Sequence, residues 1–118
     1  MFDGHLAVVE RLLQDKRVDP AAWDNCAILE AAANGHLAVV ERLLQDERVD
    51  PADKDNWTIR AAAENGHLAV VERLLQDKRV NPAAQNNKAI RRAARNGHSA
   101  VVELLSKDAR VDASAVNM

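Results

Sequence analysis

Tyrosine is absent, and aromatic residues are only 3% of the chain: Phe2, Trp23 and Trp57. Only the two tryptophans could stack on bases, which leaves a single-strand nucleic-acid binder without its usual platform. There is one cysteine, Cys26, so no internal disulfide forms and the fold does not depend on an oxidising compartment. Uninterrupted apolar runs reach only about four residues, far below a membrane span. The start, MFDGHLAVVERLLQDKR, is charged too early and too often for a signal peptide. Its Met-Phe opening excludes the N-terminal myristoylation signal. With a net charge of -2, no global field draws in nucleic acid or an anionic membrane. The expected location is intracellular, soluble and by default cytoplasmic.

What is there is apolar, small and helix-favouring. Apolar residues make up 47% of the chain, almost all Ala, Val, Leu and Ile, and 29% are charged. Such a chain of 118 residues can bury a core and favours helix.

The dominant signal is repetition. Gly4, Gly35, Gly66 and Gly97 stand 31 residues apart. The block GHLAVVERLLQD occurs three times unchanged, and a fourth copy reads GHSAVVELLSKD. Between the blocks run CAILEAAAN, WTIRAAAEN and KAIRRAARN, in register. After each Gly, apolar residues such as Leu37, Val40 and Leu44, with Val39 and Leu43, form one broad helical face. Glu41, Arg42 and Gln45 fall on the other side. Before each Gly, Ile28, Ala31 and Ala32 repeat the spacing on a shorter helix, and the alanines allow close approach. Asn34-Gly35 is a helix stop. Asn25, Asn56 and Asn87 stand where a helix N-cap belongs. Pro20 and its counterparts break the chain between units. The expectation is three helix pairs preceded by one unpaired helix.

At AAANGHLAVVERLL, AAENGHLAVVERLL and AARNGHSAVVELLS the chain resembles the ankyrin repeat, over nearly its whole length. The unit departs from the family's 33 residues by being 31 long, with the loss in the loop. The family's Thr-Pro-Leu-His becomes Cys26-Ala27-Ile28-Leu29, Trp57-Thr58-Ile59-Arg60 and Lys88-Ala89-Ile90-Arg91, keeping only the apolar third position. The Thr and His hydrogen bonds that usually tie neighbouring units are therefore lost. The resemblance implies an all-α solenoid of stacked helix–turn–helix units with short loop fingers. It also implies a concave face of first helices and loop tips, and function by protein binding. A tetratricopeptide-type solenoid is the alternative fold, with a poorer fit in period and signature. The expected organisation is one domain over 1–118: a partial repeat at 1–25, full repeats at 26–56 and 57–87, and a capping repeat at 88–118.

The three full units differ from one another in a patterned way. Their second helices barely change, whereas the first helices diverge at Cys26/Trp57/Lys88, Leu29/Arg60/Arg91, Glu30/Ala61/Arg92 and Ala33/Glu64/Arg95. These positions are i, i+3, i+4 and i+7, one helical face opposite Ile28, Ala31 and Ala32. In the loop, Trp23/Lys54/Gln85 diverges as well. Drift of solvent positions alone would have touched the second helix as freely, yet Glu41 recurs in every copy and Arg42 and Gln45 change only in the last, to Leu104 and Lys107. The candidate partner-binding residues are therefore Trp23, Lys54, Gln85, Cys26, Trp57, Lys88, Leu29, Arg60, Arg91, Glu30, Arg92, Glu64 and Arg95. The face runs from apolar in the first unit to basic in the third.

Sharper chemistry finds less support. His5, His36, His67 and His98 ride on helices expected about 8–10 Å apart, while zinc ligands sit about 2.0–2.1 Å from one ion. Each is expected to hydrogen-bond at the start of its second helix. Cys26 lacks a unique His or carboxylate partner, and no phosphate loop is present. The expectation is a non-enzyme with no metal and no cofactor. The stripe Lys88, Arg91, Arg92, Arg95 is a candidate nucleic-acid contact, but one unit supplies too few cations for a duplex.

The ends are atypical. Ser99 and Ser106 replace leucines and read as a cap, Leu104 replaces an arginine without explanation, and the tail is expected to fray beyond Val111. At the start, Val8, Val9 and Leu12 lack the cover of a first helix, with Phe2 a candidate to fold back on them. A second copy is therefore a candidate partner at that edge. The leading expectation is a non-catalytic protein-interaction module. The alternatives are a structural spacer or an engineered consensus repeat without a natural partner, and after them nucleic-acid binding through the third repeat.

Overall fold

The structure is a computed structural model that describes Gln14, Asp19 and residues 21–117, without the side chains of residues 22–24 and 117. The expected unpaired first helix, with the proposed cover of Val8, Val9 and Leu12 by Phe2, lies outside the described residues, as does the Trp23 side chain. The described residues form helix pairs: α1 (Ala22–Ala33) with α2 (Leu37–Leu44), α3 (Asp53–Glu64) with α4 (Leu68–Leu75), and α5 (Ala84–Arg95) with α6 (Ser99–Ser106). A 3-10 helix, η1 (Ala113–Asn117), closes the chain.

Helical spacing places the core where it was expected. Ile28, Ile59 and Ile90 are fully buried, as are Ala31, Ala32, Ala62, Ala63 and Ala93. Val39, Val40 and Leu43 bury the facing side of α2, and Val70, Val71 and Leu74 repeat this in α4. The first helices pack on each other more closely than the second helices do. Alanine explains this, because its methyl group holds neighbouring backbones no further apart than one small side chain. The stack is elongated, 46 × 22 × 20 Å.

Each first helix ends at its glycine. Gly35 has φ +76°, and the next N–H, of His36, donates to the Ala31 carbonyl at 2.9 Å. That bond satisfies a carbonyl the helix end would otherwise leave open.

The loop corrects the capping expectation. Asn25, Asn56 and Asn87 do not cap their own helices. Their φ angles are +63°, +63° and +59°, and in the second and third units they end a run of left-handed residues: Lys54-Asp55-Asn56 and Gln85-Asn86-Asn87. The Asn56 N–H donates to the Ala52 carbonyl at 3.0 Å, closing one left-handed turn ahead of the right-handed helix. Freed from capping, each asparagine side chain reaches the next unit. Its Oδ1 accepts from the backbone N–H of Asp50, Asn81 and Asp112 at 2.8, 2.7 and 3.0 Å respectively.

The C-terminal tail also departs from expectation. It does not fray at Val111. Asp112 Oδ1 accepts the Ser114 N–H at 3.0 Å, repeating the turn that Asp50 makes with Ala52. This local bond survives the loss of proline, and it sets η1 against α5 with Ala115 fully buried. The capping serines are exposed, as expected. Leu104 needs no rotation of the last helix. It shares a cleft with Leu68 of α4, which stays 37% exposed, and packs against the core.

Candidate partner-binding face

The varied residues of the first helices lie along one side of the stack, and the structure gathers part of them into a groove. Trp57, Arg60, Ala61, Glu64 and Asn65 of the second unit line it with Lys88 and Arg92 of the third, around about 270 Å³. The register explains the gathering. Trp57, Ala61 and Glu64 lie at i, i+4 and i+7 on α3, and Lys88, Arg92 and Arg95 occupy the equivalent places on α5. Two such rows on closely packed parallel helices face across a shared furrow.

Trp57 is 48% exposed, an unusual state for so large an apolar side chain. Lys88 and Arg92 are half-buried, and Arg95 is exposed. Among the described residues, no carboxylate comes within 4.0 Å of these three cations. Glu64 shares the groove yet stays outside that range. Arg60, Glu64 and Arg92 are half-buried, not sealed between helices, so the divergent face remains reachable.

Two of the expected contact residues have a second occupation. The Arg60 guanidinium donates to the carbonyls of Asp55 and Lys54 at 3.1 and 2.9 Å. Arg91 donates to the carbonyls of Asn86 and Gln85 at 3.0 and 3.2 Å. Left-handed backbone is strained for residues bearing a Cβ, and each arginine holds the carbonyls of such a turn. Leu29, half-buried at the equivalent place in the first unit, cannot do this. At the loop tips, Lys54 and Gln85 are exposed, and the Gln85 amide donates to Asp55 Oδ2 at 2.8 Å. Cys26 is a half-buried free thiol and Glu30 is exposed. Neither lines the groove.

Asn65 was not a candidate because it never varies. It lines the groove while donating to the Ala33 carbonyl at 3.1 Å. Asn96 repeats the bond to Glu64 at 3.0 Å. His36, His67 and His98 stand at the start of their second helices, but the side chain does not bond there. His67 Nε2 lies 2.9 Å from the Ala33 carbonyl of the preceding unit. A further pair of ties comes from arginines that the sequence reading passed over: Arg79 and Arg110 donate to the carbonyls of Val49 and Val80 at 2.7 and 2.8 Å. These bonds replace the missing Thr and His hydrogen bonds between units.

Helix pairs stacked edge to edge, each tied to the next by the same polar side chains, define an α-solenoid. The chain belongs to the ankyrin repeat family: the family model for ankyrin repeats (three copies) matches residues 1–86 and again 28–115. No curated protein and no solved structure matches it significantly. Ankyrin repeats serve in general as protein–protein interaction modules and are in general non-catalytic. Among the described residues, no helix is long and apolar enough to cross a membrane.

Proposed function

We propose that this protein binds a partner protein through the face built by its first helices and loop tips, with the groove between α3 and α5 at its centre. The observation that supports this most is the coincidence of two independent facts. Sequence variation among the first two full units is concentrated on the first helix and the loop, with second-helix changes only in the last unit. On that varied face stands a half-exposed tryptophan beside cations that have no carboxylate within 4.0 Å among the described residues. Trp and Arg are the residues that most often anchor interfaces. The partner has an apolar protrusion next to an acidic patch. Contact residues at the centre are Trp57, Lys88, Arg92 and Glu64, with Arg95, Lys54 and Gln85 at the rim. Cys26, Leu29 and Glu30 extend the face across the first unit. Arg60 and Arg91 shape it by holding the turns.

The test is affinity capture with the intact chain, repeated with Trp57→Ala and with Arg95→Glu. Arg95 is the better choice than Arg91, whose loss would also disturb a loop. Trp57→Ala should weaken binding by roughly 2 kcal/mol or more. A spacer without a partner of its own would be indifferent to both changes.

A further inference from the structure

The groove is small against the roughly 300–1,000 Å³ of typical small-molecule sites. It has room for side chains offered by a partner, and its chemistry selects among them. Lys88 and Arg92 are half-buried, so each has given up part of its hydration. Among the described residues, no carboxylate within 4.0 Å compensates either one. Several other cations are compensated: Arg48, Arg79 and Arg110 each hold an aspartate at 2.7 or 2.8 Å, and Arg73 and Lys107 have glutamates at 3.9 and 3.5 Å. Among the described residues, Arg42 and Lys78 stand, like the groove pair, without a carboxylate within 4.0 Å, but with no exposed tryptophan beside them. Arg60, the other cation of the groove, already gives two of its N–H groups to backbone carbonyls. Most of the hydrogen-bonding capacity open to a ligand therefore belongs to Lys88 and Arg92. The exposed Trp57 ring takes the place equivalent to Lys88 on the facing helix, so an apolar surface lies directly beside the two cations.

We infer that this groove recognises an acidic peptide segment of the partner. An Asp or Glu side chain is held between Lys88 and Arg92, and a neighbouring aliphatic or aromatic side chain covers Trp57. This deepens the proposed protein-binding role and rests on it. A carboxylate accepts from ammonium and guanidinium together, and the guanidinium can hold it in bidentate fashion. The carboxylate of Glu64 in the same groove opposes a doubly charged phosphate more than a singly charged side chain. It also sets the polarity along the groove: the partner's acid sits by Lys88 and Arg92, away from Glu64.

The test uses random short peptides displayed on phage, selected against the full chain, with the best of them synthesised and titrated by fluorescence anisotropy. Enriched peptides should carry Asp or Glu within a residue or two of Leu, Ile, Phe or Trp. Lys88→Glu with Arg92→Glu should lower affinity at least tenfold, with unchanged circular dichroism. Replacing the peptide's acidic residue by Lys should restore binding to that double variant and to no other. Peptides that lack an acid, and whose binding falls with Trp57→Ala but not with the charge reversal, overturn the carboxylate inference and leave the face standing. Peptides indifferent to all three substitutions overturn the face itself. Failure to enrich any peptide overturns the inference. So does an RNA or DNA oligonucleotide that binds more tightly than the best peptide and weakens steeply with added salt.

Discussion

The imidazole of His67 lies over Gly35 of the preceding unit, so close that a Cβ on that glycine would stand 2.6 Å from Nδ1. His98 covers Gly66 in the same way, also at 2.6 Å, whereas Gly97 has nothing within 4 Å. All three glycines have φ near +76°, so all three need glycine for the backbone, but only two need it for their neighbour.

That difference makes a clean comparison. Gly97→Ala should lose about 1–2 kcal/mol, the cost of left-handed backbone alone. Gly35→Ala and Gly66→Ala should lose about 1 kcal/mol more, because the histidine must move; at Gly35 the moving side chain is His67, which contacts the Ala33 carbonyl. Urea denaturation of the three variants decides it, and equal losses would show that the histidine contact carries no weight.

Arg60→Ala and Arg91→Ala should each destabilise by about 1 kcal/mol, the usual worth of a hydrogen-bonded group that leaves carbonyls behind. Lys88→Ala, on the same helix but without such bonds, should change stability by less than about 0.5 kcal/mol. Chemical denaturation gives the stabilities. Amide exchange of Asn56 and Asn87 reads the turns themselves, and it should speed up only in the arginine variants.

Acid should weaken the stack through one recurring pair. Asp46, Asp77 and Asp108 each hold the arginine two residues on, at 2.7, 2.8 and 2.8 Å. The arginine hydrogen bond is the main cause that holds each carboxyl below its ordinary value, with desolvation opposing it, and Asp46 is lowered to about 2. A carboxyl whose folded pKa lies below its unfolded one contributes stability above the unfolded pKa of about 3.9, and loses it as pH falls toward the folded value. The urea midpoint should therefore drop between about pH 4 and pH 2. The triple Asp→Asn variant should drop less steeply over that range. Identical slopes would remove these pairs from the acid response.

The tail is a structural cap. Ala115 is fully buried against α5, and the Asp112 N–H donates to Asn87 across units. Ala115→Asp should cost roughly 2 kcal/mol or more by burying an unpaired charge. Loss of residues 113–118 should likewise lower the thermal midpoint. Calorimetry that finds neither change would mean the tail does not pack.

Much of the architecture was legible because it is local. A period of 31 residues, apolar spacing within each helix and a glycine at each helix end are all properties of short segments. Ile28, Ala31 and Ala32 are buried for the reason their spacing implied. The candidate face was legible only as a set of varying positions. Nothing in the sequence distinguished Lys88, which has no ion-pair partner among the described residues, from Arg91, which holds carbonyls of a turn. That distinction depends on how the loop folds, and the loop closes in a run of left-handed residues that Asn and Asp tolerate singly but that Lys54 and Gln85 do not favour. Asn25, Asn56 and Asn87 were misread for the same reason. Their residue type suits a cap, but in left-handed backbone the side chain points to the next unit.

By itself the sequence determined the repeat, the helix pairs, the core positions and the side of each first helix that varies, because the helical period ties burial to spacing. Only the tertiary structure decided which constant residues tie the units together, since Asn56 and Asn81, or His67 and Ala33, are 25 and 34 residues apart and meet only after stacking. It also decided which of the varied residues share a groove. Trp57 and Lys88 face each other because two alanine-lined helices pack closely, and that approach belongs to neither helix alone.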